Sequence, residues 1–244
     1  MTERYKRQMI MPEINPIGQQ KLAAARALVV GAGGLGSPVL YYLAAAGVGH
    51  IHIVDSDIVE ISNLNRQTIH FERDIGREKS LSAKEKLGQF NSEIELSSST
   101  LHFNEDNVRD NISGFDIVLS CVDNLQTRAV LNKGCVRCRI PMVDGGVQGF
   151  EGYVMTVLPG ITPCYRCIFP GEHQTTAMIG VLGATAGVVG SIMAVQAIKV
   201  LLGIRKGLEF LTIDLHSLVF MPVQTKINPS CPVCQKDKPE HGRE

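Results

Sequence analysis

The sequence predicts an α/β fold: a Rossmann-like, doubly wound N-terminal half that continues into a mixed sheet with antiparallel C-terminal strands. Three observations carry this reading. First, Leu28-Val-Val-Gly31-Ala-Gly33-Gly34-Leu-Gly36 runs an apolar strand into G-x-G-x-x-G, and a second strand ends on Asp55, 19 residues past Gly36. Second, residues 115–122 are almost continuously apolar, as a parallel strand buried on both faces must be. Third, residues 152–158 and 208–226 alternate polar and apolar side chains, the mark of antiparallel strands.

Taken in order, a helix over 16–25 feeds the first strand, 27–30. Ser37-Pro38 opens the next helix, to about residue 46, because proline fits a first helical turn. Residues 50–54 form the second strand, 79–90 have helical spacing, and 94–101 read as the third strand. The apolar strand over 115–122 ends at Asp123-Asn124, a helix follows to Cys138, and 140–143 form another short strand. To this point the order is βαβαβ, one half of a doubly wound sheet. Beyond it, Pro159-Gly160 signals a turn after the antiparallel strand, and a glycine-rich helical run separates that strand from the last ones. One domain over 1–234 is expected, with a charged, disordered tail over 235–244.

Composition narrows the function classes. The chain has 244 residues, 44% of them hydrophobic, with 24 basic and 24 acidic side chains, so it can bury a core and has no basic excess for nucleic acid or anionic lipid. The N-terminus lacks the apolar run of a signal peptide. Six of the seven cysteines lie in Cys-x-x-Cys pairs, which suits thiols and metal in a reducing cytoplasm. Residues 178–198 are 21 positions without a charge and contain Gly183-x-x-x-Gly187. Their glycines dilute the hydrophobicity, and a tightly packed internal or subunit-interface helix is expected rather than a membrane span.

The chemistry-bearing residues follow the same order. Glycines 31, 33 and 36, with the additional Gly34, let backbone approach a phosphate, and the helix N-terminus favours its negative charge. Asp55 is placed for ribose hydroxyls, while Asp57 reads equally as a cap or as a second ribose ligand. Ser62, Asn63, Leu64, Asn65, Arg66 and Gln67, followed by Lys79, form an amide-dense stretch with a forked and a point cation suited to polyphosphate. Asp123 ends a buried strand, where it would hold Mg2+ or cap the next helix; Asp144 is a weaker candidate of the same kind. Cys164, Cys167, Cys231 and Cys234 are a set for tetrahedral zinc, with a redox role as the alternative. Cys135 and Cys138 are a rival pair, Cys135 reading better as a small core residue.

These pieces together resemble the ThiF/MoeB/HesA adenylyltransferases, relatives of ubiquitin-activating enzymes. The resemblance covers nearly the whole chain: Arg4-Tyr-x-Arg7-Gln8, the glycine turn, Asp55-x-Asp57, Ser62-Asn-Leu-Asn-Arg-Gln67, Gly76-Arg-Glu-Lys79, Asp123-Asn124 and the two outer cysteine pairs. It implies an ATP site at Gly34, Asp55, Ser62 to Arg66, Lys79, Asp123 and Asn124, with Asp123 as the Mg2+ ligand. It implies structural zinc on Cys164, Cys167, Cys231 and Cys234. It also implies a homodimer in which Arg7 crosses into the partner's site. The implied reaction is adenylation of the C-terminal glycine carboxylate of a ubiquitin-like sulfur carrier, ThiS- or MoaD-like, for thiamine or molybdenum cofactor biosynthesis.

One departure shapes that expectation. ThiF-type members carry a cysteine in the loop after the first zinc pair, and residues 168–178 here contain none, with Thr176 near that position. Sulfur is therefore expected from a separate donor. Two other readings compete. An NAD-dependent oxidoreductase would explain the glycine turn and Asp55 but leave Arg7, Arg66, Lys79 and the cysteine pairs without work. A non-catalytic carrier-binding scaffold would not need the charged residues, and adenylation of another carrier or a peptide remains within the favoured class.

Overall fold

The computed structural model describes residues 3–171, 180–205 and 210–234. Its centre is an eight-stranded sheet in the order β3-β2-β1-β4-β5-β6-β7-β8. The strands are β1 (Arg26–Val30), β2 (His50–Val54), β3 (Glu95–Ser99), β4 (Ile117–Ser120), β5 (Met142–Gln148), β6 (Glu151–Val157), β7 (Phe210–Asp214) and β8 (Val219–Val223). The first five pair in parallel, and β5 to β8 pair antiparallel. Strands are added outward in opposite directions from β1 and β4, which themselves lie parallel, and that switch point opens a crevice at their carboxyl ends.

The helices are α1 (Lys6–Met9), α2 (Asn15–Ala24), α3 (Gly36–Ala46), α4 (Lys79–Phe90), α5 (Val108–Ile112), α6 (Leu125–Cys138), α7 (Tyr165–Ile168) and α8 (Gly183–Leu202). Strand periodicity divides the core between two faces. Ala27 and Val29 of β1 join the core with Leu40, Leu43, Val189 and Met193 of α3 and α8. Leu28 and Val30 join the opposite core, with Ile112, Leu131, Cys135 and Tyr165 from α5, α6 and α7. The central strands of the sheet are thus covered on both sides, as apolar parallel strands require.

The glycine-rich run resolves into α8. By length and composition this helix could cross a bilayer, but half of its most apolar stretch is buried in the fold. Its small residues serve close approach: a Cβ on Gly190 would sit 2.5 Å from the Leu35 carbonyl, and one on Gly183 would sit 2.2 Å from the Asn65 carbonyl. The helix therefore lies directly against the start of α3 and the turn before Arg66.

Two expectations need correcting. The strand expected at 140–143 runs from Met142 to Gln148 and turns straight into β6 through Gly149, whose φ is +57°. Pairing with β6 stabilises that extra length, a tertiary contribution invisible to local pattern. Asp144 is consequently not a strand-end acid but a fully buried residue in mid-strand. The tail expected at 235–244 lies outside the described residues.

Asp144 forms an ion pair with Arg128 of α6, 3.1 Å away. Arg128 also donates to the carbonyls of Val122 (2.7 Å) and Gly145 (2.9 Å) and to the Tyr153 hydroxyl, which itself donates to Asp144 at 2.9 Å. Burial alone would depress the guanidinium, but the Asp144 carboxylate reverses the sign and holds it charged. The pair pins α6 and the end of β4 to β5. Removing one partner leaves the other charge buried and uncompensated, so Asp144→Ala is expected to cost about 3–5 kcal/mol in urea unfolding. A loss below about 1 kcal/mol would show that the clamp is dispensable.

Candidate active site

The crevice holds a cavity of about 1080 Å³ that begins at the glycine turn and extends beneath the C-terminal hairpins. β1 ends at Val30, and Gly31 follows with φ +99°, a conformation glycine adopts without strain. A Cβ on Gly31 would lie 2.6 Å from the Cys121 carbonyl, and one on Gly36 would lie 2.0 Å from the Gly31 carbonyl. Gly36 therefore packs helix against strand, whereas Gly33 and Gly34 face the cavity. The positive end of the α3 dipole points at the same space.

Asp55 braces this turn. One carboxylate oxygen accepts the Ala32 N–H at 2.7 Å and the other accepts the Asp57 N–H at 2.9 Å. Burial raises its pKa above the ordinary carboxylate value, with those two donors and Lys79 opposing the rise. Asp55 also lines the cavity.

The two cations are held in place by neighbours. The buried Lys79 ammonium lies 2.8 Å from Asp57, whose own side chain is largely exposed. Asp57 thus anchors Lys79, a role that neither sequence alternative included. Arg66 is folded back onto the Ser62 carbonyl (2.9 Å) and the Asn65 side chain (3.0 Å). Asn63 accepts from the Glu60 N–H at 3.1 Å, and its carbonyl accepts from Arg66 and Gln67. Arg66 and Gln67 line the cavity; Ser62, Asn63, Leu64 and Asn65 do not. Within this stretch the Ser62 carbonyl and the Asn65 side chain hold the Arg66 guanidinium, and the Asn63 side chain closes the turn at Glu60.

Asp123 and Asn124 both line the cavity at the β4 exit. The side-chain oxygen of Asn124 accepts the Thr127 N–H at 2.8 Å, so Asn124 is the α6 N-cap. Asp123 is exposed and, among the described residues, makes no side-chain hydrogen bond or ion pair. A free carboxylate at the edge of a cavity has the donor chemistry of a Mg2+ ligand, since Mg2+ keeps several waters and takes one or two protein carboxylates. Arg7 sits exposed on α1 and does not line the cavity of its own chain. Gln67, the last residue of the amide-dense stretch, lines the cavity, and so do Arg128 and Tyr153, to which the sequence assigned no role there. Arg128 had no sequence signal, since its partner Asp144 lies in another element.

The four outer cysteines converge. Their sulfurs all lie within 4.8 Å of one another. Neighbouring pairs are 3.8 Å (Cys164–Cys167), 3.7 Å (Cys164–Cys231) and 3.6 Å (Cys167–Cys234) apart. A tetrahedral ion with metal–sulfur bonds of about 2.3 Å spaces its ligands by about 3.8 Å, so the donor set and geometry fit zinc. Cys135 is fully buried core, and Cys138 stands outside the cluster. Burial pushes the Cys121 thiol beneath the glycine turn far up, leaving it inert.

With this geometry in hand, comparison with known proteins is specific. The model of the ThiF family matches residues 5–233. The chain is 41% identical over 239 residues to the SAMP-activating enzyme E1 of Haloferax volcanii, covering 95% of this chain and 88% of that one. It is 40% identical over 244 residues to the sulfur carrier protein adenylyltransferase of Thermus thermophilus, covering 95% and 90%. The crystal structure of E. coli MccB with AMPCPP and MccA superimposes with a TM-score of 0.85 at 26% identity, covering 96% of this chain and 75% of that one.

Four thiols at tetrahedral spacing predict about one zinc per chain, released by a mercurial and read with a chromogenic chelator. Cys231→Ser is expected to lose that zinc, and Cys138→Ser to retain it. Less than about half an equivalent in zinc-supplemented wild-type protein would exclude a metal centre here.

Proposed function

The chain belongs to the ThiF family, and from that premise we propose that it adenylates the C-terminal glycine carboxylate of a small ubiquitin-like sulfur carrier protein. It is a nucleotidyltransferase: the activity is ATP-dependent and releases pyrophosphate. The observation that carries this reading is the convergence of Gly33, Gly34, Asp55, Arg66, Lys79 and Asp123 on one cavity that also runs past Tyr153, Phe210 and Met221. The first group suits ATP. The second leaves an apolar path for an extended peptide tail.

The carrier carboxylate attacks the α-phosphorus of ATP, the bond to the β-phosphate oxygen breaks, and pyrophosphate leaves. No protein nucleophile is required. Asp55 orients the ribose, and the backbone N–H groups of the glycine turn receive the phosphates. Arg66 and Lys79 offset charge that accumulates on the phosphate oxygens, already aimed by their neighbours before substrate arrives. Mg2+ bound with the nucleotide would add to that neutralisation, and Asp123 is the side chain that would hold it. Zinc on the four cysteines would tie residues 231–234 to α7 without entering the chemistry.

Residues 1–234 act as one catalytic unit, working in the cytoplasm as a homodimer. Arg7 supports the dimer, because it is exposed, lies away from its own cavity, and neighbours the exposed apolar side chains of Ile10, Met11 and Ile17. The product is a carrier acyl-adenylate. With no cysteine over 168–178, sulfur comes from a separate donor protein. The carrier decides the pathway, thiamine or molybdenum cofactor among them.

ATP–pyrophosphate exchange is expected only with a carrier ending in Gly-Gly. Lys79→Ala and Asp123→Ala are each expected to lower it about a hundredfold or more. Absence of exchange with every such carrier would overturn the reading. Arg7→Ala and Asp123→Ala are both expected to be inactive alone. Mixed dimers recover about a quarter of wild-type activity if Arg7 serves its partner, because one site in each heterodimer is intact. No recovery on mixing would place Arg7 outside the partner's site.

A further inference from the structure

Behind the glycine turn lies a buried polar chain that the proposed chemistry does not use. His70 is buried, and its Nε2 lies 2.9 Å from the Ala32 carbonyl while its Nδ1 lies 2.9 Å from the Ser82 hydroxyl. A carbonyl only accepts, so Nε2 carries the proton and donates it to Ala32. Nδ1 then accepts from Ser82, whose oxygen accepts from the Lys86 ammonium at 2.7 Å. Lys86 is in turn ion-paired with the buried Asp74, which Arg77 also contacts at 3.3 Å. Burial pushes His70 down to about 4. The Ala32 bond and Asp74 oppose that shift, and the charges of Lys86 and Lys79 add to it, so the ring is neutral at neutral pH.

The geometry of a trans peptide gives this contact a consequence. All peptide bonds described are trans, so the Ala32 carbonyl and the Gly33 N–H, which share one peptide, point in opposite directions. His70 grips the carbonyl from the buried side. The Gly33 N–H therefore points away from the core, on a residue that lines the cavity. Asp55 fixes the preceding peptide through the Ala32 N–H. Two successive peptides of the turn are thus clamped from two different elements.

We propose that His70 is a positioning residue of the nucleotide site: by holding the Ala32 carbonyl it turns the Gly33 N–H toward the phosphates of ATP. This rests on the reading of the cavity as an ATP site. A residue that merely supports the fold would affect every ligand alike, whereas one that aims a phosphate donor affects ATP and leaves adenosine untouched.

The test is calorimetric titration with ATP and NMR titration with adenosine on the full chain. His70→Leu is expected to weaken ATP about tenfold with adenosine affinity unchanged. His70→Gln, whose amide nitrogen reaches the Nε2 position, is expected to stay within about threefold of wild type for ATP. Equal weakening of both ligands, or no change in either, would overturn the assignment. If the Leu variant does not fold, His70→Gln against His70→Asn decides. The shorter Asn cannot reach Ala32 and is expected to lose about tenfold in ATP affinity, so equal affinities for the two would overturn the assignment. Wild-type protein that binds no ATP would sink the nucleotide reading itself, and this assignment with it.

Discussion

A backbone contact governs the rest of this molecule: at Gly36, helix α3 approaches the Gly31 carbonyl so closely that a Cβ would lie 2.0 Å from it. The contact sets the angle at which the helix leaves the sheet, and with it the direction of the helix dipole. It also sets the position of Leu35, whose carbonyl is approached by Gly190 of α8. Three backbone segments meet with almost no side chain between them. One larger residue at this junction would displace the turn, the helix and the floor of the cavity together.

Around that junction, polar groups are committed before any ligand arrives. Lys79 is held by Asp57, Arg66 by the turn over 62–65, and Ala32 by Asp55 and His70. An ammonium free in solution would have to lose rotamer freedom and reorganise water to meet a phosphate; a held one does not. The arrangement suits phosphate and carboxylate reactants, which need positioning and charge compensation more than a nucleophile. Asp123 is the exception, a carboxylate left free at the cavity edge.

The opposite side of the cavity is held by the buried Arg128–Asp144 pair with Tyr153. A buried ion pair is a weak source of stability, because desolvation offsets most of the attraction. Its value here is specificity of arrangement: the donors of Arg128 meet the Val122 carbonyl just past β4 and the Gly145 carbonyl within β5 as well as Asp144. The loop that carries Asp123 is thereby tied to the strand on which the antiparallel half of the sheet is built. Residues 231–234 meet the fold through Cys231, which is buried beside Cys164 and Tyr165.

Much of this was legible in the chain. Period and punctuation located the parallel strands and most helices, because a buried strand must be apolar and a turn at positive φ favours glycine. Residue types at Asp55, Arg66, Lys79 and Asp123 marked the cavity, and Cys164, Cys167, Cys231 and Cys234 marked a cluster of four converging thiols. The sequence by itself determined the fold class, the switch-point crevice and the placement of Asp55, Asp57, Arg66, Lys79 and Asp123 along it, since each follows from local pattern. Only the tertiary structure decided which group serves which. Asp57 anchors Lys79, Asn124 rather than Asp123 caps α6, residues 62–65 hold Arg66, Arg128 joins the cavity lining, and His70 contacts the Ala32 carbonyl from behind the turn. The physical reason is that hydrogen bonds and ion pairs depend on distances of a few tenths of an ångström between elements far apart in the chain, and no spacing along the chain encodes them.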